Sequence, residues 1–135
     1  MSENPGNKDF ISVPVVTGEC PTMYKAARGK LNVFLGFKEA SHYLESKNKN
    51  SSEILVTAEI DWSWTRILEH FSGVITNHGT RVSRAAEVLG LMNKPGVLGT
   101  RNATEMLHSG TQVRIVCDSN DALVYPVREK LQQQG

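Results

Sequence analysis

The amino-acid sequence predicts an α/β domain of layered architecture with strands of mixed direction. Three observations carry this expectation. Apolar runs of strand length at residues 30–35, 53–58, 73–76 and 96–99 alternate with segments of helical spacing. The run Glu53-Ile54-Leu55-Val56-Thr57-Ala58 is nearly continuous, which suits a strand covered on both faces. The pattern then closes with an alternating segment at 111–117, a turn, and a partner at 122–125, which together read as a hairpin. At 135 residues and 14.9 kDa the chain amounts to one domain, long enough to bury about two-thirds of its unfolded surface.

Residues 1–9 are polar, hold Pro5 and Gly6, and read as a flexible tail. Residues 10–16 are β-prone, and Pro14 confines them to an edge strand or an extended lead-in. Residues 18–29 read as a loop with a short helical turn around Met23-Tyr24-Lys25. After the strand at 30–35, residues 37–44 have helical spacing, with Phe37, Ala40 and Leu44 on one face. Residues 46–52 are Lys, Asn and Ser only, a surface loop. Asp61 is placed to cap a helix over 62–71. Trp62 and Trp64 flank its start and cannot both face the core. Trp64 is expected to be partly exposed and to mark a docking surface. The strand at 73–76 leads through a turn at 77–80 into a helix over 81–91, with Val82, Ala85, Ala86 and Leu89 on its apolar side. Pro95 ends that region. Asn102 is placed to cap a helix over 103–108, which Gly110 stops. A short terminal helix is expected at 127–134. The organisation is therefore a tail (1–9), one domain (10–127) and a C-terminal tail or short helix (128–135).

Composition excludes several classes. Hydrophobic residues make up 39% and charged residues 21%, ordinary globular usage that argues against collagen, coiled coil and wholesale disorder. Lys+Arg 15 against Asp+Glu 14 leaves a net charge of +1, without the basic surplus of a nucleic-acid binder. No apolar run approaches the roughly 20 residues of a membrane span, and the N-terminus lacks the apolar core of a signal peptide. A cytosolic location is expected. Cys20 and Cys117 read as two reduced thiols there. No Cys-x-x-Cys or paired-histidine spacing offers a metal site, and no cofactor is implied. A chain of this size suits a carrier, a binding module or one part of a larger machine.

The informative stretch is 72–91. A short buried strand ends in a glycine-bearing turn and feeds into a helix rich in small residues. Unpaired N–H groups at a helix N-terminus, with the helix dipole behind them, make an anion site. Arg81 and Arg84 lie at that end, and Arg101 lies just before the next helix. The candidate anion-binding set is Gly79, Thr80, Arg81, Ser83, Arg84 and Arg101. The competing reading makes these arginines solvated helix-end residues, and both stay open. His42, His70 and His108 fall in helical patterns, whereas His78 sits in the loop just before Gly79.

These residues resemble the swivelling phosphohistidine domain of phosphoenolpyruvate-utilising enzymes, as in phosphoenolpyruvate synthase and pyruvate phosphate dikinase. That family carries Gly-Gly-x-Thr-(Ser/Cys)-His-Ala-Ala at the head of a helix, followed by Leu-Gly-Ile-Pro-Ala-Val-Val-Gly and an Asn-Ala-Thr cap. The similar stretch here is Gly79-Thr80-Arg81-Val82-Ser83-Arg84-Ala85-Ala86, then Leu89-Gly90-Leu91, Pro95-Gly96-Val97-Leu98-Gly99 and Asn102-Ala103-Thr104. Leu55-Val56-Thr57 and Asp61-Trp62 upstream, and Val113-Arg114-Ile115-Val116 with Val124-Tyr125 downstream, look like further family segments. The resemblance covers roughly residues 28–126. It implies a swivelling β/β/α domain, mixed sheet layers with a helix layer, and it implies that Trp62 packs inward.

The resemblance also implies three departures. The family's phosphoacceptor histidine corresponds to Arg84, and arginine has no usable nucleophilic lone pair at neutral pH. Its second glycine corresponds to Thr80 and its threonine to Val82, which has no hydroxyl to offer a phosphoryl group. Ser83 is retained. Two functions follow. One is a stand-alone domain without the usual acceptor, serving as a non-catalytic binding or regulatory module. The other is a phosphocarrier domain or subunit with His78 as a relocated acceptor, since neutral histidine is a competent nucleophile. The competing role for His78 is that of a solvated turn residue. Any transfer needs an ATP-grasp or phosphoenolpyruvate-binding phosphotransferase subunit in trans. A phosphorylated protein is the other candidate partner, and neither nucleic acid nor membrane is expected.

Overall fold

The computed structural model describes residues 13–22, 25–46, 52–118 and 121–127. The expected N-terminal tail, the turn at 23–24 and the terminal segment at 128–135 lie outside the described residues, as do most of the loop at 46–52 and residues 10–12 of the first β-prone stretch. In chain order the elements are β1 (Val16–Glu19), β2 (Ala26–Val33), α1 (Phe37–Leu44), β3 (Glu53–Thr57), a 3-10 turn (Trp62–Trp64), α2 (Thr65–Leu68), β4 (Gly73–Thr76), α3 (Arg84–Leu91), β5 (Gly96–Val97), α4 (Ala103–Met106), β6 (Gln112–Asp118) and β7 (Asp121–Pro126).

The seven strands form one sheet in the order β1-β7-β6-β2-β3-β4-β5. β2 to β5 run parallel, and β6, β7 and β1 add antiparallel pairs. The sequence pattern explains the division. All five residues of β3 and all four of β4 are buried, as parallel strands covered on both faces require. β6 alternates instead, turning Val113, Ile115 and Cys117 inward and Arg114 and Asp118 to solvent.

The sheet curls until its two edges meet. Glu19 N–H donates to Leu98 O at 2.8 Å and Leu98 N–H donates to Glu19 O at 3.0 Å. Gly18 makes this approach possible, because a Cβ there would collide with the Leu98 carbonyl. Inside the curl Leu31, Ile54, Val56, Ile75, Ile115 and Val124 pack together, joined by Ala103 and Leu107 at α4. A second core lies on the other side of β3 and β4, where Leu55 and Val74 meet Trp64, Leu68, Val88 and Leu89 of the helical layer. Each such fully buried aliphatic side chain contributes about 1.5–3 kcal/mol. The result is the β/β/α layering with a mixed sheet.

Several expectations need correction. The first strand is indeed at the sheet edge, but it begins at Val16 and runs through Gly18 and Glu19, which read as loop. Strand β2 starts at Ala26, four residues earlier than its apolar run, because Ala26 to Lys30 are held by pairing to β6. The helix expected over 62–71 is a 3-10 turn followed by the short α2; Asp61 does cap it, accepting from Ser63 N–H at 2.9 Å. The tryptophans are exchanged. Trp64 is 6% exposed and meets Phe37 edge-on, with ring centroids 5.4 Å apart, whereas Trp62 is 44% exposed. The 3-10 turn sets this, since it rotates the third residue after the cap onto the core. Residue 127 is not helical; its N–H donates to Gln112 O and prolongs the β6–β7 pairing.

Candidate functional site

Loops at the C-terminal ends of the parallel strands β2, β3 and β4 enclose a cleft of about 510 Å³. Leu35, Gly36 and Phe37 follow β2, the segment from Ala58 to Asp61 follows β3, and His78 and Gly79 follow β4. Ser83, Arg84 and Ala85 close the cleft from the head of α3. Open α/β sheets place ligands at this edge.

The turn after β4 is built from hydrogen bonds. Thr76 Oγ1 donates to His78 O at 2.6 Å, and His78 N–H donates to Ala58 O at 3.0 Å. These bonds lock the main chain of His78 while its side chain stays exposed on the cleft. Gly79 then takes φ +117°, a conformation open to glycine. Opposite it Gly99 has φ +70°, and a Cβ at Gly99 would lie 2.5 Å from Gly79 O.

The helix begins later than its sequence spacing predicts, at Arg84 rather than Arg81. Ser83 is the reason. Its hydroxyl donates to Thr80 O at 2.7 Å and accepts from Thr80 N–H at 3.1 Å, closing a small loop before the helix. Ser83 therefore occupies the N-cap position without giving α3 a side-chain cap. Val82, expected on the apolar face, is 87% exposed because it precedes the helix.

The arginines separate. Arg84 lines the cleft together with the carboxylates of Glu59 and Asp61. The hydrogen bonds from the Ser63 hydroxyl and N–H hold the Asp61 carboxyl below its usual range, and the Arg84 charge adds to this. Arg81 precedes α3, and its N–H donates to Glu19 Oε1 at 2.9 Å. Arg101 lines a different cavity, of about 580 Å³, with Glu19 and Asp121. Its φ is +80°, and its N–H donates to Asn77 O at 2.8 Å. Thus Gly79, Ser83, Arg84 and His78 share the cleft, whereas Arg101 does not line it.

The cap of α4 also differs from expectation. Asn102 holds the N-cap position, but its side chain makes no capping bond. Thr100 Oγ1 accepts from Ala103 N–H at 3.1 Å, and Asn77 Oδ1 accepts from Thr104 N–H at 3.0 Å. Sequence reasoning missed Glu59, Leu35 and Phe37 as cleft residues. The signal was their position just after parallel strands. The two cysteines, distant in sequence, are buried neighbours inside the curl. Among the described residues no group of three His, Cys, Asp or Glu side chains could hold a metal ion, and no helix is long and apolar enough to cross a membrane.

Comparison with known proteins adds lineage to this geometry. Residues 49–120 match the family model described as PEP-utilising enzyme, mobile domain. The chain is 37% identical over 93 residues to phosphoenolpyruvate synthase of Aquifex aeolicus (strain VF5), covering 69% of this chain and 10% of that protein. It is 32% identical over 97 residues to phosphoenolpyruvate synthase of Neisseria meningitidis serogroup B, covering 72% and 12%. It is 26% identical over 113 residues to rifampicin phosphotransferase of Bacillus cereus, covering 84% and 11%. A solution structure of an Enzyme I (nEIt) protein aligns with a TM-score of 0.48 and 21% identity, over 62% of this chain and 34% of that one. The chain spans about a tenth of the length of the curated relatives it matches. By the matched span, which includes β3, the cleft loops after β3 and β4, α3 and β6, the chain belongs to the family of PEP-utilising enzyme mobile domains.

Proposed function

We propose that this mobile domain does not carry phosphate at the head of α3 and acts instead as a binding or regulatory module for a phosphotransferase subunit or a phosphorylated protein. Arg84 carries the reading. It stands directly after the retained serine, where the family resemblance expects the acceptor histidine, and its guanidinium cannot act as a phosphoryl nucleophile at neutral pH. The first turn of α3 has no side-chain cap, so its N–H groups and the Arg84 fork together suit an anionic group on the partner. Asp61 and Glu59 line the same cleft as Arg84. Two buried, reduced thiols suit a cytosolic setting.

Phosphate-bearing peptides supply the test. Chemical shifts at residues 79–86 should move on titration, and Arg84→Gln should weaken binding by about tenfold. Arg84→His should restore little transfer, because Thr80 and Val82 also depart from the family motif. No shift at α3 would refute the anion-accepting part of the proposal.

His78 gives a second reading, since its exposed imidazole lines the same cleft as Arg84. On this reading the domain is a phosphocarrier with a moved acceptor. Phosphosite mapping at neutral to alkaline pH, on protein from its own cells, separates the two. Phosphate on His78, lost in His78→Ala together with transfer, would establish the carrier.

A further inference from the structure

The outward side of β1, β7, β6 and β2 belongs to neither hydrophobic core. Its charges are sorted by strand register. At one end Arg114 of β6 lies directly opposite Arg28 of β2. At the other end Asp121 of β7 lies directly opposite both Asp118 of β6 and Glu19 of β1. Between the two ends Leu123 is paired with Val116, a half-buried apolar band.

Like charges directly opposite one another destabilise a sheet. This face contains two such rows, one cationic and one anionic, at opposite ends. Within the chain they are only partly answered. The Arg114 guanidinium lies over the Tyr125 ring, 4.9 Å from its centroid, Glu19 accepts the Arg81 N–H, and Arg101 lines a cavity with Glu19 and Asp121 without forming an ion pair among the described residues. Among the described residues Arg28, Arg114, Asp118 and Asp121 form no ion pair.

We infer that two copies of this chain associate through this face, about a two-fold axis lying in the plane of contact and running across the strands. That rotation reverses the strand direction of the second copy. It lays β6 of each copy antiparallel over β6 of the other, so that Arg114 of each meets Asp118 of the other, with Arg28 and Asp121 one strand to either side of that pair and the Leu123–Val116 band at the centre. A two-fold contact must be self-complementary, and a face with equal and opposite ends is so under this operation. A partner of one charge sign would meet one row and be repelled by the other.

Sedimentation of the full chain at low and high salt provides the test. A dimer is expected at low salt that weakens as salt rises. R28E/R114E and D118K/D121K should each weaken self-association by about tenfold or more. An equal mixture of the two should associate more tightly than either alone, because each restores the other's complement. Circular dichroism confirms folding, and R114Q with D121N replaces any reversal that does not fold. A wild type that stays monomeric at low salt overturns the inference. So does a dimer indifferent to both variants, or a mixture no tighter than its components.

Discussion

Asn77 and Thr104 exchange two hydrogen bonds across the C-terminal edge of the sheet. Asn77 Nδ2 donates to Thr104 Oγ1 at 2.8 Å, and Thr104 N–H donates to Asn77 Oδ1 at 3.0 Å. One amide thus fixes the start of α4 to the turn that leads into α3. Asn77→Ala removes both bonds and should lower unfolding stability by about 2 kcal/mol. Thr104→Val removes one and should cost about 1 kcal/mol. Urea melts of the two single variants and the double variant should show coupling. Strictly additive losses would mean that the pair does not act as a unit.

Gly99→Ala should cost about 1–3 kcal/mol and disturb the cleft. The new Cβ meets Gly79 O, and the backbone there is left-handed. Thermal melts give the cost, and amide shifts at residues 78–84 report the displacement. A variant as stable as the parent, with those shifts unmoved, would contradict the close approach of the two glycines.

The two tryptophans should respond differently to truncation. Trp64→Ala should cost about 3–5 kcal/mol, as for a buried aromatic. Trp62→Ala should change stability by less than about 1 kcal/mol, as for a surface position. Acrylamide should quench the fluorescence of Trp62 before that of Trp64. Equal costs would show that the 3-10 turn does not sort them.

Stability should fall in alkali. Burial pushes the Cys20 thiol from its ordinary 9.0 up to about 12, with Cys117 beside it adding to the rise. Below pH 9 both folded and unfolded chains keep this proton, so its contribution to stability is full. Between about 9 and 12 only the unfolded chain releases it, and the contribution is lost. Tyr43 adds a second loss from 10 to about 12, since burial and its hydrogen bond to Glu53 raise its hydroxyl. Cys20→Ala and Tyr43→Phe should each flatten the fall in urea midpoint over this range. A slope unchanged in both would assign the alkaline loss to other groups.

Much of the architecture was legible because it rests on local pattern. The continuous run of β3, the short buried β4, the spacing of α1 and the alternation of β6 each state their environment in a few residues. The family motif located α3 and its cleft for the same reason. What stayed hidden depends on residues far apart in the chain. Gly18 and Glu19 look like loop, and pairing with Ala122 and Asp121, about a hundred residues on, makes them strand. Thr100 displaces Asn102 as the capping side chain because it sits beneath α4. Arg81 falls outside α3 because Ser83 turns its hydroxyl back to Thr80. Arg101 lines the second cavity once its main chain is tied to Asn77. Nothing in the spacing of Cys20 and Cys117 announces that the curl makes them neighbours.

The bridge between Glu19 and Leu98 bears on the solubility of the domain. An open sheet ends in rows of unsatisfied N–H and C=O groups, which recruit strands from other molecules and seed aggregates. Here one terminal strand satisfies part of the other, and β5 is only two residues long. Little template remains for a foreign strand. Gly18 is what permits this protection, so Gly18→Val should reveal itself first as insolubility during expression.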